Sequence, residues 1–89
     1  MNLHLHLKSQ YFSAIAQGSK LEEYRLCTPY WQKRLEHRSY DKIVLKLGYP
    51  KRNDMSRTII RPWHGYTIKT IQHELFGALP VQVYAIWVN

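Results

Sequence analysis

Leu3, Leu5 and Leu7 alternate with His4, His6 and Lys8, and Ile43, Leu45 and Leu47 alternate with Lys42, Val44 and Lys46. Side chains repeat their direction at every second residue only on a strand, so each run predicts a strand with one apolar face to bury. Two such runs in a chain of 89 residues predict one core that both must share. All six aliphatic side chains are expected to point into it, with the histidines and lysines outward. Residues 1–89 are therefore read as a single domain.

The segments between these runs carry helix signals. Ser9 reads as an N-cap, Tyr11, Phe12, Ile15 and Ala16 have helical spacing, and Gly18 suits the left-handed residue that closes a short helix. Glu22 to Cys27 reads as a second strand, with Tyr24 and Leu26 on one face and Glu23 and Arg25 on the other. Thr28 caps a second helix that has Pro29 at its favoured first position and runs through Tyr30, Trp31, Arg34 and Leu35. Gly48 to Arg57 reads as a polar loop. Strands are expected at Thr58–Ile60, at Tyr66–Ile71 and at Val81–Val88, after a turn marked by Gly77 and Pro80. About five or six short strands with two short helices, partly polar on both faces, predict an α+β chain built as a small mixed β-barrel.

Composition narrows the class. With 45% apolar and 13% aromatic residues the chain can fold without staples. Its single cysteine, Cys27, excludes an internal disulfide and any CxxC metal pattern; it is expected to be a small buried hydrophobe in a reduced, cytoplasmic setting. The first residues lack the charged segment and apolar run of a signal peptide, and no apolar run approaches the roughly 20 residues of a membrane span. His4 and His6 share a strand face, but no third ligand accompanies them in the sequence, so neither a metal nor a cofactor is expected. The formal charge of +7 favours a polyanionic partner, of which nucleic acid is the commonest.

Against that charge, two of the six acids stand side by side in GSKLEEYR, Gly18 to Arg25. Glu23 and Arg25, two apart on a strand, face the same side. If that side lines a cleft, each charge offsets part of the other's desolvation, and Lys20 at the helix–strand corner can lean over the pair and serve in proton transfer. Glu22 falls on the opposite, outer face, where Gln is expected to replace it with little effect.

The segment resembles the GxKxxExR signature of the ASCH superfamily, with Gly18, Lys20, Glu23 and Arg25 on its fixed positions. The β-α-β-α-β order around it resembles that family over nearly the whole chain. The resemblance implies a PUA-like barrel with a cleft for RNA or a nucleotide, in which Lys20, Glu23 and Arg25 hold the ligand. It also implies two enzymatic alternatives: a ribonuclease, and an amidohydrolase that acts on an acetylated cytidine nucleoside. In the amidohydrolase branch a Thr stands where this chain has Glu23, so Lys20 carries over and the Thr does not.

The remaining binding candidates come from residue type and place. Tyr30, Trp31, Trp63, His64 and Tyr66 flank turns and caps, where aromatics among cations can stack on unpaired bases. Trp31 and Trp63 equally suit plugs at the barrel ends. Lys46, Lys51, Arg52, Arg57 and Arg61 are the cations expected to meet phosphate, three of them in the long loop. A third alternative is an interaction module whose basic face meets an acidic protein.

Overall fold

The computed structural model describes residues 1–49 and 54–89. Among them lie six strands and two α-helices, in the order β1 (Asn2–Leu7), α1 (Ser9–Ala16), β2 (Glu22–Leu26), α2 (Pro29–Leu35), β3 (Lys42–Leu47), β4 (Thr58–Pro62), β5 (Tyr66–Ile71) and β6 (Val81–Trp87). Short 3₁₀ turns cover Met55–Arg57 and Glu74–Phe76. The α+β class expected from the sequence holds. Lys51 and Arg52 lie outside the described residues.

Hydrogen bonding divides the strands into two three-stranded sheets, β1-β3-β4 and β2-β6-β5. β1 and β3 run parallel, with Leu3 opposite Ile43 and Leu5 opposite Leu45; the other pairs are antiparallel. Paired residues share a face, so Leu3, Leu5, Leu7, Ile43 and Leu45 form one buried inner face. Leu47, at the end of its strand, is half-buried. Tyr84 and Ile86 of β6 supply the inner face of the second sheet, and Ile15 of α1, Leu35 of α2 and Val88 complete the cluster. Truncating one of these aliphatics to Ala carries the usual large-to-small core penalty of about 2–5 kcal/mol.

Among the described residues the ladders do not close into a ring. β1 bonds only to β3 and β2 only to β6, so each leaves one edge unpaired. The Arg25 side chain crosses this gap, its Nη2 donating to the His6 carbonyl at 3.2 Å.

The local signals mostly act as the sequence implies. Gly18 has φ +82° and directs Ser19 and Lys20 to donate backbone N–H groups back to Ala14 O, which ends α1 and sets Lys20 at the corner. Thr28 Oγ1 accepts from Trp31 N at 3.4 Å, with Pro29 opening α2. Two expectations are corrected. Lys8, not Ser9, holds the N-cap position of α1, without a side-chain cap bond, because Ser9 is already helical. Cys27 is exposed, since it lies just beyond β2, where the chain turns off the sheet toward α2.

Candidate functional site: a cleft at the open strand edges

The gap between β1 and β2 opens into a cavity of about 310 Å³, at the small end of the range for small-molecule sites. Its lining comes from the end of β1 (His6, Leu7, Lys8), from Tyr11 of α1, from Lys20, from Glu23 to Leu26 of β2, from Thr28 and Trp31, and from His73, Leu75 and Phe76 around the second 3₁₀ turn. Unpaired strand edges explain the opening: where no neighbouring strand fills the ladder, side chains alone wall the space.

Glu23 is the most buried charge in the cleft, with 6% of its side chain exposed, and Arg25 beside it retains 19%. Arg25 Nη1 lies 3.3 Å from Glu23 Oε1, which also accepts the Tyr24 backbone N–H at 2.9 Å. Arg25 Nη1 donates to Tyr24 O at 2.9 Å, and its guanidinium lies 5.4 Å from the Trp31 ring centre. Arg25 is thus held by an anion, two carbonyls and an aromatic face, which leaves it a fixed counter-charge rather than a mobile contact.

Glu23 Oε2 differs. It is buried and has no hydrogen-bond partner among the described residues, and the same is true of the Tyr11 hydroxyl. Buried polar atoms are nearly always partnered, because an unmade bond costs the desolvation of the group. The two atoms belong to residues that line the same cavity.

Lys20 joins the cleft, but not as expected. Its ammonium sits 5.2 Å from the Tyr11 ring centre and 4.9 Å from that of Tyr24, so it leans over two aromatic faces instead of over the Glu23–Arg25 pair. Cation–π attraction gives the ammonium an alternative to a carboxylate. His73 extends this aromatic wall, 6.2 Å from Tyr11 and 5.9 Å from Phe76 between ring centres.

Glu22 is also corrected. It is buried rather than solvated, and both its oxygens receive Lys69 Nζ at 2.9 Å while Oε1 accepts from Tyr24 OH at 3.4 Å. Lys69 lies on β5, reached across β6, so the pairing depends on sheet order. Burial and the Glu22 carboxylate push the Tyr24 hydroxyl's pKa up, and the hydrogen bond to Glu22 raises that of Lys69.

Of the other sequence candidates among the described residues, only Trp31 reaches the cleft, where it also packs against the core. Trp63 and Tyr66 pack against the core, edge-on to Tyr40 and Tyr84 respectively, because their strand ends turn them inward; neither offers a free face at the cleft. Tyr30 is exposed with the Arg34 guanidinium over its ring at 3.5 Å. Lys46 and His4 share the outer face of β3 and β1; burial, then Lys46, lowers the His4 pKa. Arg57 and His64 are exposed away from the cavity wall, and Arg61 Nε reaches Asn89 Oδ1 at 3.4 Å. Sequence reading missed Tyr11, Tyr24, Lys8 and His73; the helical spacing of Tyr11 with Ile15 marked it only as a core residue.

No family model, curated protein or solved structure matches this chain. Among the described residues no group of three or more His, Cys, Asp or Glu is placed to hold a metal ion, and no helix is long and apolar enough to cross a membrane.

Proposed function

We propose that the cleft binds a nucleotide, free or within RNA, and that the chain is an ASCH-type domain whose two sheets correspond to the halves of a PUA-like barrel. One observation carries the reading: Lys20, Glu23 and Arg25, singled out by the spacing in GSKLEEYR, line a single cavity together with Trp31. Cations at the rim, an aromatic wall and a buried acceptor are the parts needed for phosphate, base and donor group respectively. Lys20 and Lys8 are the cations with freedom to meet phosphate. Arg25, held in place, positions Glu23. Trp31 stacks on the ligand.

Quenching of tryptophan fluorescence by mononucleotides and short RNA tests this. The parent protein is expected to respond, and Trp31→Phe to lose most of the response, although Trp63 and Trp87 remain. Binding to single-stranded RNA should weaken with salt by roughly 0.7 log unit per decade for each phosphate contact. Lys20→Ala should weaken every ligand about tenfold and lower that slope. Absence of binding at low salt, or binding indifferent to Lys20 and Trp31, overturns the reading; a protein-binding face is then the better account. The hydrolase alternatives require Lys20 to act beside Glu23, whereas its ammonium rests on tyrosine rings. Turnover of RNA or acetylated cytidine in the same samples would restore them.

A further inference from the structure

The two buried polar atoms without partners belong to residues of the same cavity, and they differ in what they can accept. Glu23 Oε2, on an ionised carboxylate, can only accept a hydrogen bond, while the Tyr11 hydroxyl can donate or accept. A ligand that satisfies both must bring an N–H or O–H to Glu23 and a second polar atom to Tyr11. The walls around them, Trp31, His73, Phe76 and the Tyr24 ring, suit a flat occupant. On a nucleobase, N–H donors and their neighbouring acceptors lie together on the edge used for base pairing.

We infer that Tyr11 and Glu23 together read the pairing edge of a nucleobase that enters the cleft edge-first, so that the site takes only free or unpaired nucleotides. The inference rests on the nucleotide-binding reading above and makes Tyr11 a specificity-determining residue. Both atoms are covered, so the edge must displace a side chain to reach them. On the Tyr11 side, Lys20 is the side chain suited to move, since it is long and held over the Tyr11 and Tyr24 rings only by cation–π contacts. A phosphate at the rim draws Lys20 outward and uncovers the tyrosine. Phosphate binding and base reading are thereby coupled through one lysine.

The test compares ligands that differ in a single donor without added bulk. Binding of adenosine 5′-monophosphate is measured against purine riboside 5′-monophosphate, and cytidine 5′-monophosphate against its pyrimidin-2-one analogue, by Trp31-dependent quenching. Loss of the exocyclic amine is expected to weaken binding by roughly tenfold in the parent protein, because a buried carboxylate oxygen is left unpaired. Tyr11→Phe, which keeps the ring under Lys20, should weaken the parent nucleotides about threefold to tenfold. Glu23→Gln should shrink the ratio between paired ligands. A single-stranded oligonucleotide should bind and the same sequence in a blunt duplex should not.

Equal binding within each ligand pair, or equal binding of duplex and single strand, overturns the inference while leaving nucleotide binding intact. So does a tenfold loss on removing the ribose hydroxyls with no loss on removing the amine, which would assign Glu23 to the sugar. Failure of every nucleotide to quench Trp31 overturns both. Should Glu23→Gln fail to fold, the ligand pairs on the parent protein and on Tyr11→Phe still decide.

Discussion

Glu22 and Glu23 are neighbours on β2, both are buried, and each lies beside a cation, yet the two pairs are built differently. The Glu22 carboxylate is saturated: Lys69 meets both oxygens and the Tyr24 hydroxyl meets one. The Glu23 carboxylate is half-used, with Oε1 taking Arg25 and the Tyr24 N–H while Oε2 takes nothing among the described residues. Strand alternation sends them to opposite faces. Glu22 faces a surface where a half-exposed lysine can close over it, and Glu23 faces a cavity. The first pair fastens sheet β2-β6-β5; the second, held by its arginine, leaves one buried carboxylate oxygen without a partner among the described residues. Burial of a charge therefore says little about its role until its remaining lone pairs are accounted for.

The comparison breaks most visibly at Glu23→Ala. That change strips the anion from a guanidinium only 19% exposed and removes the acceptor of the Tyr24 N–H. The expected loss is about 3 kcal/mol, at the lower end for a broken buried pair because Arg25 keeps its two carbonyls. Urea denaturation measures it, and Glu23→Gln should cost well under half as much. A loss at Glu23→Ala smaller than at Glu22→Ala would reverse the distinction drawn here.

Glu22→Ala comes next, at about 1 kcal/mol, since its partner is 45% exposed and water can replace the carboxylate there. Glu22→Gln should cost a measurable part of this, contrary to the neutrality expected of a solvated outer face. An unchanged urea midpoint for Glu22→Gln would return Glu22 to the surface.

The Glu22 network should also respond to alkali. Tyr24 and Tyr84 have pKa values raised above the usual 10.0, burial being the largest cause for each, and Lys69 is raised above 10.5 mainly by its hydrogen bond to Glu22. Groups that hold their protons more tightly when folded contribute stability that is complete below the unfolded values and lost as pH rises through the folded ones. The melting temperature should therefore be level up to about pH 9 and fall above about pH 10. Glu22→Gln should flatten part of that fall, and so should Tyr84→Phe, which removes the 2.5 Å bond from the tyrosine hydroxyl to Glu36. A fall identical in the parent and in Glu22→Gln would dissociate the Glu22 network from alkaline stability.

The smallest effect on stability should come from Lys20→Ala, about 0.5–1 kcal/mol or less for cation–π contacts at a half-buried site. A near-native melting curve with lost nucleotide quenching is the expected pair of results. A loss as large as that of Glu23→Ala would make Lys20 a structural residue.

Much of this was legible in the chain. The alternation at Leu3–Leu7 and Ile43–Leu47 places the inner face of one sheet, Gly18 ends α1, and Thr28 with Pro29 starts α2. The shared face of Glu23 and Arg25 follows from their spacing alone. These features were readable because each depends on a local period or on the dihedral preference of one residue, which the covalent chain sets before any long-range contact exists. The rest required partners distant in sequence. Lys69 closes over Glu22 only because β6 lies between β2 and β5, and Tyr11 faces His73 only because α1 and the second 3₁₀ turn meet at the same gap. Tyr66, read as a stacking platform, and Trp63, read either as a platform or as a plug, pack against the core beside Tyr84 and Tyr40. Strand order and the unpaired edges of β1 and β2 decide which side chains become neighbours. That is a property of the assembled sheets, since periodicity tells which face a residue takes and not which residue it will meet across a gap.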